Sequence, residues 1–153
     1  MLSKVRRMAI GVAAATTLLA GAAPAADAAP AQPASVIHGC DSAYFCFYFN
    51  SNFAGARADY LNSDGNLDNE KFTEGGTNGR GVQVKNNAAS AVNNWDYYAT
   101  VYYNSGCNGS IASQTFGAYA SGNFNATMKN QNASFKWPAS FGTYSDCANR
   151  DQF

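Results

Sequence analysis

Few side chains in this 153-residue chain are of the types that perform catalysis. His38 is the single histidine. Four carboxylates cluster within eleven positions: Asp64, Asp68, Glu70 and Glu74. A carboxylate pair could hydrolyse a glycosidic bond, but the Asn and Gly neighbours here favour a solvated loop. Lys71 has no candidate nucleophile beside it. The sequence therefore predicts that the protein is not an enzyme and uses no cofactor.

The four cysteines fit disulfide bridges better than a metal site or a thiol nucleophile. They are Cys40, Cys46, Cys107 and Cys147. No pair has the two-to-four-residue spacing of zinc ligands. Four cysteines allow three pairings, of which we favour a local Cys40–Cys46 bridge and a long Cys107–Cys147 bridge. In the chain-entropy estimate these two loops would contribute about 2 and about 4 kcal/mol to stability.

The first 28 residues have the composition of a secretory signal peptide. Basic residues at positions 4, 6 and 7 precede an apolar run over 8–23, and small residues prepare a cleavage site after Ala28. The apolar run is shorter than the roughly 20 residues of a membrane span. We therefore expect a secreted, extracellular protein with no membrane anchor after cleavage. Its cysteines would be oxidised in that compartment.

The exported part has the length of one domain. Residues 29–38 have the composition of a flexible segment, and a folded domain would occupy 39–153. The leader carries three of the ten basic residues and one of the ten acidic ones, which leaves seven cations against nine anions. A net charge of −2 without a basic patch argues against nucleic acid as a partner. We also expect a monomer.

Runs of aromatic and β-branched residues between Gly-, Asn- and Ser-rich turns predict an all-β fold. The predicted strands are 43–49, 56–61, 81–85, 90–95, 99–104, 110–116, 124–128 and 133–137. Segment 66–72 could form a short helix, with Asn66 as its N-cap.

An internal duplication is visible in the sequence. Residues 48–55 align without gaps on 102–109, and residues 86–90 align on 130–134. The two alignments are 54 and 44 positions apart, so the first unit carries ten extra residues. We place these extra residues in the Gly-rich stretch 74–81.

Each unit would form a four-stranded Greek key, the first over about 39–95 and the second over about 99–137. A C-terminal tail would occupy 138–153. The two units would pack as a sandwich stapled by the disulfides.

The pattern resembles a known family. The Cys40-x5-Cys46 spacing, the Tyr-x-Asn-x-x-Phe-x-Gly turn at 48–55 and the repeated Asn-x-x-x-Ser corners are similar to secreted actinobacterial βγ-crystallin-like proteins. Among these the sequence is most similar to the Streptomyces metalloproteinase inhibitor family, over about residues 39–137. The resemblance implies a βγ-crystallin-like sandwich that inhibits secreted, thermolysin-type metalloproteases.

The family inhibits through a rigid loop of the second unit, which the protease binds like a substrate. The resemblance assigns that role to Asn104, Ser105, Gly106, Cys107, Asn108, Gly109, Ser110 and Ile111. A preformed loop loses little entropy on binding. This loop contains a single cysteine, so the long bridge would have to anchor it. These proteases favour a bulky apolar residue after the scissile bond, so Ser110–Ile111 suits them better than Cys107–Asn108. The sequence does not assign which bond of the loop is presented to the protease.

Two other kinds of site are suggested by the sequence. Asn86, Asn87 and Ser90 match half of the calcium signature of microbial βγ-crystallins, but they offer neutral amides where calcium prefers carboxylates. We favour local backbone bonding at this corner over a metal. The tyrosine doublets at 97–98 and 102–103 each direct one ring outward. They keep sugar binding open. The resemblance also covers a related branch of killer-toxin-like proteins of the same fold, which implies an alternative function, a killer-toxin-like or binding module acting on a cell wall, a glycan or a competing microbe.

Overall fold

Eight β-strands form two antiparallel sheets in the computed structural model, which describes residues 35–140, 142 and 146–147. The strands are β1 (Phe45–Tyr48), β2 (Ala56–Tyr60), β3 (Glu74–Gly75), β4 (Ser90–Asn93), β5 (Ala99–Asn104), β6 (Asn108–Phe116), β7 (Ser121–Asn123) and β8 (Ser134–Lys136). The all-β prediction is confirmed. The predicted leader over 1–28 lies outside the described residues. Within them, no helix has the length and apolar character needed to cross a membrane.

The two sheets exchange segments between the halves of the chain. The first sheet has the strand order β3-β2-β1-β4-β7, and the second has the order β6-β5-β8. β7 comes from the second half and pairs with β4 of the first. Conversely, Asp64 of the first half forms a two-way backbone bridge with Phe135 in β8. Each half therefore completes the sheet of the other, and neither sheet is whole without both.

Aromatic rings from the two sheets meet in one core. The strand β2 shows the expected alternation, with Ala56, Ala58 and Tyr60 buried between partly exposed neighbours. Phe45 of β1 stacks on Phe135 of β8 with ring centroids 5.2 Å apart. Burying one such ring contributes about 1.5–3 kcal/mol, so these contacts are a main source of stability.

Both bridges are present with the pairing that we favoured, Cys40–Cys46 and Cys107–Cys147. The short bridge fastens the N-terminal part of the described chain to the outer face of the first sheet. The long bridge joins the β5–β6 turn to the C-terminal segment, 40 positions away.

The prediction of a strand over 81–85 is wrong. Val84 is buried, which explains the apolar signal, but its N–H donates to the carbonyl of Glu70 in a neighbouring loop. Lys85 N–H likewise donates to the carbonyl of Leu67. Only an isolated bridge between Lys71 and Gln83 has β geometry here. The segment is a loop whose backbone is satisfied by another loop.

Two further local predictions are wrong because asparagine and aspartate side chains close turns. Over 124–128, the Oδ1 atom of Asn125 accepts from the backbone N–H groups of Thr127 and Met128 and folds the chain into a turn. Over 66–72 no helix forms, and Asn66 is not an N-cap, since its Oδ1 accepts from Lys85 Nζ and Ser105 Oγ while its N–H donates to Asp64 Oδ1. Such side-chain bonds compete with regular structure.

The duplication is visible in the backbone as well as in the sequence. The aligned residues Asn86 and Asn130 both have positive φ, +61° and +57°. Asn86 N–H donates to the carbonyl of Asn132, and Asn130 N–H donates to the carbonyl of Ala88, the residue that aligns with Asn132. The two corners thus bind each other reciprocally and join the two units.

Candidate functional site

The predicted inhibitory loop is a tight turn followed by the start of a strand. β5 ends at Asn104 and β6 begins at Asn108, so the turn itself is 105–107. Gly106 and Cys107 both lie in the left-handed region, with φ of +71° and +53°. The aligned turn of the first unit repeats this geometry, with Asn52 and Phe53 at +59° and +60°. The turn frame is therefore a property of the duplicated scaffold.

A serine from a distant strand holds each turn. Ser134 Oγ accepts from Cys107 N–H at 3.0 Å and donates to the carbonyl of Asn104 at 2.7 Å. In the first unit, Ser90 Oγ accepts from Phe53 N–H at 3.0 Å and donates to the carbonyl of Asn50 at 2.7 Å. The repeated Asn-x-x-x-Ser corner therefore supplies the serine that fixes the turn of its own unit.

Replacing Ser134 with alanine is expected to loosen the second turn alone. The change leaves a partly buried N–H and a partly buried carbonyl without their partner, a cost of about 1 kcal/mol. Hydrogen exchange at Cys107 N–H should accelerate, while exchange at Phe53 N–H stays slow. The matched Ser90→Ala variant should show the reverse. Equal acceleration of both amides in either variant would mean that the serines act on global stability and not on their own turns.

Further contacts clamp the second turn between two segments. Gly106 N–H donates to the carbonyl of Gly65 at 2.7 Å, and Ser105 Oγ donates to Asn66 Oδ1 at 3.1 Å. Cys107 is bonded to Cys147. A Cβ atom on Gly65 would collide with the carbonyl oxygen of Cys147, so the segments on both sides of the turn are in close contact. The long bridge therefore fixes the turn covalently to the C-terminal segment.

The second hairpin contains an insertion that the first lacks. In the strand register, Tyr48 is opposite Arg57, nine positions on, whereas Tyr102 is opposite Ser113, eleven positions on. The register of β5 and β6 is interrupted between Tyr102 and Asn104, so residues 109–112 stand opposite Tyr103 alone. Ile111 lies in this stretch with 63% of its surface exposed. Residues 108–111 are part of the predicted inhibitory loop, and after that prediction we call them the inhibitory segment.

Side chains of the turn keep the inhibitory segment in shape. Ser110 N–H donates to Asn108 Oδ1 at 2.9 Å, which closes a small turn of the Asx type. Asn104 Nδ2 donates to Ser110 Oγ at 3.2 Å across the hairpin. Ile111 is therefore presented on a backbone that is already ordered.

The outer edge of β6 is unpaired among the described strands. β6 is the edge strand of its sheet, and it pairs with β5 alone. In the first unit, the corresponding strand β2 is covered by β3. The covering strand lies in the Gly-rich stretch where we placed the extra residues of the first unit. An edge strand offers a row of free backbone donors and acceptors to another chain.

The calcium-like corner is engaged in backbone bonding. Asn87 Nδ2 donates to the carbonyl of Lys85 at 2.9 Å, and Ser90 holds the first turn. The nearby cavity of about 490 Å³ is lined by Phe49, Asn50, Ser51, Asn87, Ala89, Lys129 and Asn130, with a cation and no carboxylate. Over the described residues, no three His, Cys, Asp or Glu side chains group as metal ligands. Asn87 and Ser90 therefore both bond to backbone carbonyls.

The four clustered carboxylates have different environments. Asp64 is fully buried and accepts from Asn66 N–H, whereas Asp68 is exposed. A hydrogen bond from Asn66 lowers the pKa of Asp68, and Lys85 lowers it further. Asp68 therefore stays ionised and does not suit a general acid. Glu70 and Glu74 line an open groove of about 570 Å³ together with cationic side chains.

Sequence reasoning located the turn but missed the insertion, the serine contacts and the free edge. The ungapped alignment of 48–55 on 102–109 ends at the glycine just before the extra residues, so it could not reveal them. Aligning Arg57 with Ser113 would have shown a two-residue gap at this point.

Comparison with known proteins identifies a family. A family model described as peptidase inhibitor family I36 matches residues 34–114, just over half of the chain. The matched part contains the first unit, the strand β5, the turn 105–107 and the inhibitory segment. No curated protein and no solved structure matches the chain.

Proposed function

The chain belongs to peptidase inhibitor family I36, and from this premise we propose that it is a secreted inhibitor of thermolysin-type metalloproteases. Membership of this family implies that the partner of the chain is a protease. It also agrees with the resemblance to the Streptomyces metalloproteinase inhibitor family. In this proposal the exported protein is a monomer without catalytic activity of its own. It blocks one protease molecule by binding to it.

The exposed Ile111 on the inserted segment carries the proposal. Both units build the same serine-held turn, yet in the described part of the chain only the second unit adds residues after it and leaves the strand edge uncovered. The turn occurs in both units and is explained by their shared backbone geometry. An exposed isoleucine, in contrast, is not required for the stability of the fold. A substrate-like role explains both the insertion and the exposure.

Binding would follow the physics of strand addition. The inhibitory segment enters the cleft in extended form, with backbone donors and acceptors paired to the protease as a substrate would be. Ile111 fills the apolar pocket that follows the scissile bond. Because Ser134, Gly65 and the long bridge hold the turn, little entropy is lost on binding, and the segment resists the distortion that cleavage needs.

We also propose that the scaffold consists of two βγ-crystallin-like Greek keys over about 39–95 and 99–137. The exchange of β7 and the Asp64 segment between the sheets supports this assignment, because each unit then contributes a strand-like segment to its partner. The reciprocal corner bonds of Asn86 and Asn130 give further support.

Titration of the secreted, disulfide-bonded protein into a thermolysin-type protease tests the function. Activity on a small peptide substrate should fall linearly to zero at one inhibitor per enzyme. Trypsin-like serine and papain-like cysteine proteases, titrated in parallel, should keep their activity. Full activity of all three at excess protein, with the protein still intact by mass, would refute the inhibitor assignment.

A further inference from the structure

The duplication allows the outer faces of the two sheets to be compared position by position. On the first sheet, Cys46 is opposite Val92 and Tyr48 is opposite Ser90. On the second sheet, Thr100 is opposite Lys136 and Tyr102 is opposite Ser134. The two sequence alignments equate Tyr48 with Tyr102 and Ser90 with Ser134, and extending them at the same offsets pairs Cys46 with Thr100 and Val92 with Lys136. The two faces therefore have one architecture with different side chains.

The first face is covered by the chain itself. Cys40, Cys46, Tyr48 and Val92 form a buried apolar cluster, with Ile37 and Tyr44 packed against it. Tyr48 is only 2% exposed, and its hydroxyl donates to the carbonyl of His38 at 3.0 Å. Burial raises the pKa of Tyr48 to about 12.

The second face carries no such cover among the described residues. Tyr98, which aligns with Tyr44, is 53% exposed, and Ser113 and Thr115 are exposed beside it on β6. Cys46 and Val92, the apolar residues under the cover of the first face, are replaced by Thr100 and Lys136. The two tyrosines of the first face are retained as Tyr98 and Tyr102. Thr100 and Thr115 join hydroxyls across the strands at 2.9 Å. The polar side chains of this face are suited to contact with solvent.

The end of this face is held rigid by a buried asparagine. Asn93 Nδ2 donates to the carbonyls of Tyr97 and Gly117 at 2.6 and 2.7 Å, which ties the loop before β5 to the loop after β6. In the second loop, Tyr119 has a φ of +55° and is 46% exposed, and its N–H donates to the carbonyl of Trp95. A left-handed aromatic residue is strained, and such strain is often associated with binding sites.

We propose that the outer face of the second sheet binds a neutral polysaccharide chain. We call its residues Tyr98, Thr100, Tyr102, Ser113 and Thr115 the tyrosine face. Tyr98, just before β5, and Tyr102 within it are four residues apart and point to the same side, about 13 Å from each other. Their rings can therefore stack on the C–H faces of two pyranose rings of one chain that are separated by at least one other sugar. Thr100 and Thr115 lie between the two tyrosines and Ser113 lies opposite Tyr102, so their hydroxyls can pair with sugar hydroxyls.

The charges and the first face favour a sugar over a protein or nucleic acid. Lys136 is the one charged residue in the β5 and β8 rows of this face, so it does not attract a polyanion. On the first face, where the sheet is covered by a segment of its own chain, the contacts to that segment are made by a valine and a half-cystine. The second face has hydroxyl and ammonium groups at those positions. Flat rings interleaved with hydroxyls match a ligand with apolar faces and polar edges.

The tyrosine face begins beside the inhibitory segment, where a Cβ atom on Gly109 would lie 3.6 Å from the Tyr102 ring, and it extends away from that segment to Tyr98. Tyr98 precedes β5 while the turn 105–107 follows it, about 20 Å away at the strand rise. Binding at the Tyr98 end is therefore compatible with a protease on the turn. The proposal does not depend on the inhibitor function, and an inhibitor held on a polysaccharide would act where secreted proteases attack a wall or matrix.

Binding to insoluble cellulose and chitin, and calorimetry with cellohexaose and chitohexaose, test this proposal on the secreted, disulfide-bonded protein. At least one glycan should bind. Tyr98→Ala should weaken binding about tenfold, the loss of one aromatic contact, while Tyr98→Phe retains it. Tyr44→Phe, at the aligned covered position, serves as the matched control and should bind normally. Protease inhibition by Tyr98→Ala should be unchanged.

Three outcomes would overturn the proposal. The first is no binding to any of these glycans, and the second is equal binding by Tyr98→Ala and the unmodified protein. The third is a concentration-dependent dimer that Tyr98→Ala dissociates, which would identify the face as a contact between two copies. Failure of protease inhibition alone would leave glycan binding standing, so the two proposals fail separately.

Discussion

Replacing Ile111 with glycine is expected to weaken inhibition of a thermolysin-type protease by about 100-fold while the fold stays intact. In the free protein Ile111 is 63% exposed, so its loss removes few internal contacts. In the complex its side chain is buried in a pocket, and burying an isoleucine contributes about 1.5–3 kcal/mol, or roughly 10- to 150-fold in the inhibition constant. Glycine also frees the backbone of the segment, which adds to the loss.

Val36→Gly is the matched control for this experiment. Val36 is equally exposed, at 61%, but lies in the N-terminal part of the described chain. Inhibition constants from tight-binding titration and thermal unfolding curves should be measured for both variants. Val36→Gly should inhibit like the unmodified protein. An equal loss in the two variants, or an unchanged constant for Ile111→Gly, would remove the inhibitory segment from the mechanism.

Removing the long bridge by Cys107→Ser together with Cys147→Ser is expected to convert the inhibitor into a substrate. The bridge closes a loop with a sequence separation of 40, and its loss should lower the free energy of unfolding by about 4 kcal/mol. The turn then keeps its hydrogen bonds but loses its covalent anchor beside Ile111. The protease can distort the segment and cut it, so inhibition should fade over time.

The matched control removes the short bridge by Cys40→Ser together with Cys46→Ser. This change should cost about 2 kcal/mol, because the loop is shorter, and it lies on the other sheet. Denaturant unfolding gives the two free energies, and mass spectrometry of protease mixtures gives the cleavage. Lasting, full inhibition by the variant without the long bridge would show that the hydrogen bonds alone hold the turn.

Strands with strong side-chain patterns were predictable from the sequence. β2 was expected because charged and apolar residues alternate from Ala56, and β5 was predicted with its observed bounds of Ala99–Asn104. In contrast, β3 and β7 have the turn-forming compositions Glu-Gly and Ser-Gly-Asn. They are strands because β2 and β4 offer them an open edge, and such tertiary context overrides local preference.

The turn in the candidate site was predictable in position, but the contacts that hold it were not. The repeat located the turn at 104–107, since the aligned residues adopt the same backbone geometry. The hydrogen bond between Cys107 N–H and Ser134 Oγ joins residues 27 positions apart, so no local sequence pattern predicts it. The two extra residues of the second hairpin become visible only when the strand register is known.

The Cys107–Cys147 bridge also decides what a cut in the inhibitory segment would produce. Hydrolysis between Ser110 and Ile111 would open the chain inside the ring, so the nicked protein would remain one covalent molecule. Ser110 would stay three residues from the bridged Cys107, and Ile111 would stay two residues from the paired Ser113. Resynthesis of the bond would then be unimolecular, at an effective molarity that for well-oriented groups reaches about 10⁵ M or more. Cleavage by the protease would become an equilibrium between two inhibitory forms, and an occasional turnover would not consume the inhibitor.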